Sequence, residues 1–527
     1  MAKSKGVIEE TREAAATTDL LPSPATDRSF FGHPRGLSTL FFTEMWERFS
    51  YYGLRPLLIL FMTAALADGG FGFDRPQASA IVGIYAASVY LASLPGGWVA
   101  DRLLGLRRAI FCGAVSISLG HLCIGLSGFF AGKTVFFVGL IFIVLGTGLL
   151  KPNISAIVGD LYPEGGARRD AGFSVFYMGI NSGSFFGQLV TGSLGEQVGW
   201  HWGFGAAGVG MLLGLIVYAF RAGPTLGDIG VEPTKLADPV AQRRQENNVK
   251  LMIALGLGAL ALIVALASMG TIHIDPQAIG RSMTYVLVGI AVAYFAYVFA
   301  FGGLTGDEKR RMAVIFVLFI FAAIFWAAFE QAPTSLNLFA KDFTDRSFFG
   351  HEVPALWFQS INSLFIIIFA PVFAGLWLKM ARTGNELSSP AKFTLGLLCA
   401  AVGFGLMIPA AKIVVASNGA VKVSAWWLTF SYLFQTFGEL SLSPVGLSSM
   451  TKLSPRKYVG QMMGIWFLAT SVGNLIAGLV GGNVDPEKLE AMPALFLWTT
   501  VALVVAALAI ALLIAPIRRM MQDVAEV

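Results

Sequence analysis

An all-α integral membrane bundle of about fourteen spanning helices, arranged as six plus two plus six, is the fold class that this 527-residue chain predicts. Three observations carry the expectation. Only 13% of residues are charged while 55% are hydrophobic, and mean hydropathy is +0.69; a soluble chain normally carries about 25% charged residues. Apolar segments long enough to cross a bilayer recur along almost the whole sequence. The longest polar interval, Arg221 to Asn248, falls after the sixth of them.

In order, the predicted spans are Leu37–Leu66, Ala78–Asp101, Arg107–Ser127, Thr134–Gly159, Asp170–Gln197 and Trp202–Phe220, then Val249–Gly270 and Arg281–Gly302. Arg311–Asn337, Ala355–Met380, Lys392–Lys412, Trp426–Met450, Tyr458–Gly481 and Pro493–Ala515 complete the set. Residues 1–36 are polar and proline-containing, with no apolar core of signal-peptide type, and read as a flexible tail. Residues 37–221 form the first six-helix bundle, 222–248 a linker, 249–303 an accessory hairpin, 304–517 the second bundle and 518–527 a tail. The hairpin is rich in Ala, Leu and Val without buried charge, so it is expected to face lipid. Loops on one side collect more basic residues, among them Arg102, Arg107, Arg108, Arg168, Arg169, Arg243, Arg244, Lys309, Arg310 and Arg311. The positive-inside rule then places both termini in the cytoplasm.

The first span contains Glu44-Met45-Trp46-Glu47-Arg48-Phe49-Ser50-Tyr51-Tyr52-Gly53-Leu54-Arg55. At helical spacing Glu44, Arg48, Tyr51, Tyr52 and Arg55 share one face. A charge at mid-membrane costs roughly 2.5–3.5 kcal/mol on the mildest scale. Four such groups on one helix therefore require a protein interior or a water-filled cavity. The bland account is an internal salt-bridge cluster, Glu44 or Glu47 with Arg48.

Other spans carry groups that should not face lipid: Tyr85 and Tyr90, Lys151-Pro152-Asn153, Asn181 amid Gly179, Gly183 and Gly187, Trp326 and Glu330, Asn362, Glu439 before Pro444, and Trp466. Small residues beside Asn181 permit close helix approach. For each lone aromatic or amide, ordinary packing is the simpler account; for Lys151, Glu330 and Glu439, which are charged, function is. The membrane acids are Glu44, Glu47, Glu330 and Glu439; the bases are Arg48, Arg55 and Lys151. One carboxylate is left unpaired, and an unpaired buried carboxylate is expected to take up a proton. Both signs around one cavity suit a zwitterion, and the aromatic side chains can wall pockets of loose specificity.

Between the second and third spans lies Gly96-Gly97-Trp98-Val99-Ala100-Asp101-Arg102-Leu103-Leu104-Gly105-Leu106-Arg107-Arg108, which resembles the loop signature of the major facilitator superfamily. There Asp101 can pair with a basic residue or a helix N-terminus opposite and act as a conformational latch. The Glu44–Tyr52 motif, Tyr85, Gly148–Asn153, Phe173–Phe185, Phe325–Gln331 and Gly438–Gly446 resemble, in order, the proton-coupled oligopeptide transporter family of that superfamily, bacterial type. Two departures stand out: Ser182 follows Asn181 where the family usually has an apolar or small residue, and Ser363 follows Asn362 where proline is common.

The resemblance implies a major facilitator fold and a proton-coupled symporter that imports di- and tripeptides, working as a monomer in the inner membrane. It implies proton coupling by Glu44, Glu47, Arg48 and Glu330, with protons as the coupling ion and no other cofactor. It implies peptide contacts from Arg48, Tyr52, Arg55, Tyr85, Lys151, Asn181, Trp326, Glu330, Asn362, Glu439 and Trp466. Arg55–Glu330 and Lys151–Glu439 would be salt bridges that make and break during transport. A nitrate-type anion carrier is the alternative on the same scaffold, but it would not need the acidic cluster. A membrane-embedded enzyme would need a metal cluster or a nucleophile system. The five histidines and Cys112, Cys123 and Cys399 supply neither metal-ligand spacing nor a disulfide framework, so no metal is expected. Nothing points to nucleic acid.

Overall fold

The computed structural model describes residues 26–129, 133–348 and 350–522. The outer parts of both expected tails, 1–25 and 523–527, lie outside the described residues. Fourteen long helices follow: α1 Arg35–Thr63, α2 Arg75–Val99, α3 Leu106–Leu126, α4 Thr134–Asp160, α5 Gly166–Gln197, α6 Trp200–Leu226, α7 Pro239–Ser268 and α8 Pro276–Phe301. Then come α9 Gly306–Phe329, α10 Leu356–Arg382, α11 Ser389–Ala416, α12 Trp426–Leu453, α13 Val459–Gly481 and α14 Ala491–Gln522. This is the expected major facilitator arrangement of six plus two plus six. Among the described residues, eleven helices are long and apolar enough to cross a membrane; α1, α5 and α12 fall short. Those three carry polar groups on their inner faces, which lowers their hydropathy. Because the helices alternate in direction, both described ends lie on one face, the terminal face; the opposite one is the far face.

Within each half the helices pack by close backbone approach. A Cβ at Gly113 or Gly120 of α3 would come within 2.6 Å of the carbonyl oxygens of Gly146 and Gly139 on α4, and the reverse holds equally. Between α1 and α5, Gly179, Gly183 and Gly187 sit against Phe41, Met45 and Phe49. Small residues thus replace the hydrophobic effect as the means of joining helices in lipid. They also bring Asn181 to the charged face of α1.

The halves meet along two seams, α2 with α13 and α5 with α10. At the first, Gly83 and Gly478 oppose each other so closely that an added Cβ would lie 2.7 Å from the partner's Cα. At the far face, ion pairs cross the seams. Arg75 binds Asp342 at 2.6 Å and approaches Asp485 at 3.9 Å, while Glu196 faces Lys341 at 3.1 Å and Arg346 at 3.8 Å. On the terminal side the α5–α10 seam loosens: α10 buries residues only as far as Ile366. Among the described residues, the ion pairs that join the halves lie at mid-depth or on the far face.

Several expectations change. Residues 26–34 are anchored rather than free: Asp27 is buried and accepts from the Arg35 amide, and the Tyr162 hydroxyl pairs with His33 Nδ1 at 2.9 Å. The linker between helices shrinks to 227–238, because α6 runs on to Leu226 and Asp238 with Pro239 caps α7 early. The hairpin divides in character. Val249 is the one buried residue on α7, whereas α8 packs Gly280, Leu287, Ala291, Phe295 and Val298 inward. Helix α8 touches both α2 and α13, one from each half. Asp101 makes no ion pair among the described residues. The chain there instead tightens into a π-type turn, Ala100–Leu104, held by the Thr234 amide on the Asp101 carbonyl and by Arg107 on the Gly227 carbonyl.

Candidate functional site

A cavity of about 320 Å³ lies between the halves at mid-depth. Its walls come from α1, α2, α4 and α5 on one side and α9, α10, α12 and α13 on the other. Eleven of the sequence-predicted residues reach it: Glu44, Arg48, Tyr52, Arg55, Lys151, Asn181, Trp326, Glu330, Asn362, Glu439 and Trp466. Two do not. Glu47 is buried behind the wall. Tyr85 lines a separate apolar cavity between α2, α4 and the hairpin, with its ring stacked on Tyr51. Tyr90, five residues on and so about 140° around the helix, reaches the central cavity in its place. The sequence offered two tyrosines on α2, and helical phase relative to neighbours decides between them.

The charged groups form three clusters. In the first, Arg48 Nε lies 2.9 Å from Glu44 Oε1 and 2.6 Å from Glu47 Oε2, all nearly inaccessible to solvent. Two carboxylates share one guanidinium, so this pocket has one negative charge in excess. In the second, Arg55 Nη2 donates to Glu330 Oε2 at 2.6 Å, joining α1 to the end of α9. Glu330 sits where α9 breaks. The chain passes through a π-type turn, Ala332–Leu336 with Pro333, before resuming helix at Asn337–Phe343. Interrupted membrane helices place backbone and side chains at midplane binding sites. In the third, Asn362 Nδ2 donates to Thr436 Oγ1 at 2.9 Å and reaches Glu439 Oε2 at 3.4 Å.

The expected Lys151–Glu439 ion pair is not formed in this conformation. Lys151 Nζ instead sits 3.9 Å over the Tyr90 ring, a cation–π contact. The two residues line one cavity from opposite halves without pairing. Arg55 Nε and Trp326 Nε1 are buried without a hydrogen-bond partner, so two donors are available to a guest. Asn181 donates to the Tyr177 carbonyl at 3.0 Å, leaving its side-chain oxygen available.

Sequence reasoning missed several wall residues: Tyr177, Ser184, Gln188, Gln359, Tyr432 and Thr470. It also missed Asn474, which touches Arg55. The signal for Asn474 was present as the single amide in the largely apolar run Ile465–Val480. Ser363, noted as a departure, hydrogen-bonds Ser184 at 2.7 Å across the α5–α10 seam. A hydroxyl where proline is common therefore serves contact between the halves.

Two bundles clamped at one face, meeting along seams of small residues, enclose a midplane cavity of both charges. That arrangement defines a secondary transporter of the alternating-access class. The comparisons with known proteins agree. The family model "PTR2: POT family" matches residues 107–492, and the chain belongs to that family. The chain is 51% identical over 500 residues to "Peptide transporter YePEPT" of Yersinia enterocolitica, covering 94% of this chain and 97% of that one. It is 32% identical over 517 residues to "Dipeptide and tripeptide permease A" of Escherichia coli, covering 96% and 97%. Among solved structures, a peptide transporter POT in complex with sulfate superposes with a TM-score of 0.84 at 38% identity, covering 94% of this chain and 98% of that one.

Proposed function

We infer that the protein is a proton-coupled symporter importing di- and tripeptides, with its terminal face toward the cytoplasm. The observation that carries the reading is the polarity of the central cavity. Cations stand on the N-terminal half, at Arg55, whose Nε has no hydrogen-bond partner, and at Lys151, which rests on the Tyr90 ring. An acid with its amide stands across from them, at Glu439 and Asn362. A peptide's carboxylate and ammonium ends fit those two poles, and charge-assisted bonds at each are the strong kind. The cavity volume lies in the range of small-molecule sites, which favours short peptides over long ones. Tyr52, Tyr90, Trp326 and Trp466 supply apolar wall that accepts varied side chains.

Coupling follows from charge. A proton entering the Glu44–Arg48–Glu47 cluster removes its excess negative charge, and a proton on Glu330 leaves Arg55 without its ion pair. Because Arg55 and Glu330 belong to opposite halves, protonation alters how the halves are joined. Ligand and proton then shift populations to the extent that they favour one state. Both termini on the cytoplasmic side follows from the basic loops. The deciding experiment is uptake into proteoliposomes with an imposed pH gradient, competed by a panel of di- and tripeptides, amino acids and nitrate. Gradient-driven accumulation competed only by short peptides is expected; competition by nitrate alone overturns the reading.

A further inference from the structure

Arg55 is held by more than Glu330. The same Nη2 that donates to Glu330 Oε2 also donates to Asn474 Oδ1, again at 2.6 Å. Asn474 belongs to α13 and is 1% exposed. Its amide nitrogen is committed to the Thr470 carbonyl at 2.9 Å, which fixes the oxygen toward Arg55. The two acceptors therefore come from different helices of the second half, one at the break of α9 and one on α13. They also differ in kind, since Glu330 can be neutralised by a proton and the amide cannot.

The position of Asn474 along α13 gives this difference a use. Its own carbonyl lies 2.8 Å from where a Cβ on Gly83 would be, and Gly478, one turn on, faces Gly83 directly. Asn474 thus sits at a close backbone approach of the α2–α13 seam, packed against the first half as well as facing Arg55. We propose that Asn474 is a positioning residue of the coupling mechanism: a proton-insensitive tether that keeps the Arg55 guanidinium at the cavity wall when protonation releases Glu330. Arg55 would otherwise be a buried cation with no partner, and partner removal is the costly way to break a buried pair. With the tether, Glu330 parts from Arg55 while the guanidinium stays aimed at the cavity, its Nε available to a peptide carboxylate. The inference rests on the proton-coupled reading above.

Asn474→Asp tests it, because it keeps the shape but makes both acceptors ionisable. Releasing Arg55 then requires neutralising two carboxylates. The pH profile of gradient-driven uptake is expected to change by at least about one unit, because two carboxylates sharing one cation interact and no longer release it on a single proton. The double variant Glu330→Gln with Asn474→Asp moves the single carboxylate from α9 to α13. It is expected to recover pH-dependent uptake that Glu330→Gln alone lacks. Counterflow exchange at equal pH and thermal unfolding are followed in parallel. An unchanged pH profile in Asn474→Asp overturns the proposal. So does a double variant as unresponsive to pH as Glu330→Gln, or one that has lost counterflow exchange as well. If wild-type protein shows exchange but no gradient-driven uptake, the underlying proton-coupled reading fails instead.

Discussion

Glu196→Gln should loosen the far face, and its size can be worked from the contacts. The Glu196 carboxylate is 2% exposed. One oxygen accepts from the Leu356 amide at 3.0 Å; the other lies 3.1 Å from Lys341 Nζ and 3.8 Å from the Arg346 guanidinium. Gln retains an acceptor for the amide, so the change isolates the charge. A hydrogen bond to a charged group contributes about 1.5–3 kcal/mol. The Lys341 side chain is 36% exposed, which discounts its part toward the surface value of about 0–1 kcal/mol. Arg346 keeps Glu352 as a second partner. A net loss of about 1.5 kcal/mol follows, roughly a tenfold shift toward a state open at the far face. Spin labels at the exposed positions Val198 and Phe348 report the separation of the halves there. The long-distance population should grow about tenfold in Glu196→Gln relative to wild type. A distance distribution in Glu196→Gln identical to that of wild type would refute the clamp.

Further outcomes are expected around the cavity. Arg55→Ala or Lys151→Ala should reduce gradient-driven uptake at least tenfold, since each removes a cation facing the peptide carboxylate, and Arg55→Ala also strands Glu330; wild-type uptake rates would count against both. Glu44→Gln or Glu47→Gln removes the excess charge beside Arg48, so uptake should no longer respond to an imposed pH gradient while counterflow exchange persists; accumulation against a gradient in both would show the cluster is not the coupling site. Lys151→Glu combined with Glu439→Lys should restore transitions on the terminal face better than either change alone, measured by label distances there, and a double variant no better than the singles would remove this pair from gating.

Much of the fold was legible because membrane helices announce themselves by length and hydropathy. The boundaries that slipped did so for local reasons. Polar first turns, as in α7 with Asp238 and Pro239, extend helix beyond the apolar run. The anchoring of 26–34 depends on Tyr162 and Arg168, which are distant in sequence. Eleven site residues were legible since charge or amide in an apolar span has few explanations. Tyr85 misled because a tyrosine is at home on any helix face, and its phase relative to α7 and α8 is a tertiary fact. Asn474 was passed over because one amide in a helix looks like packing until Arg55 is seen beside it.

The Lys151–Glu439 case shows a different kind of limit. Sequence gives the charges, but pairing belongs to a conformation, and this one is clamped on the far face. Arg55–Glu330 lies at mid-depth and is formed here. Lys151 and Glu439 line the same cavity from opposite halves and are apart. Lys151 nevertheless has the Tyr90 ring, and Glu439 has Asn362. Each charge therefore keeps a weaker neutral partner to rest on when its ionic partner is away. The same holds for Arg55 with Asn474 beside Glu330. A buried ion pair that must break repeatedly would leave two lone charges in a low-dielectric interior, at a cost of several kcal/mol. Neutral partners lower that cost on both sides of the cycle. They make the opened arrangement a state the protein can occupy rather than a barrier it must cross.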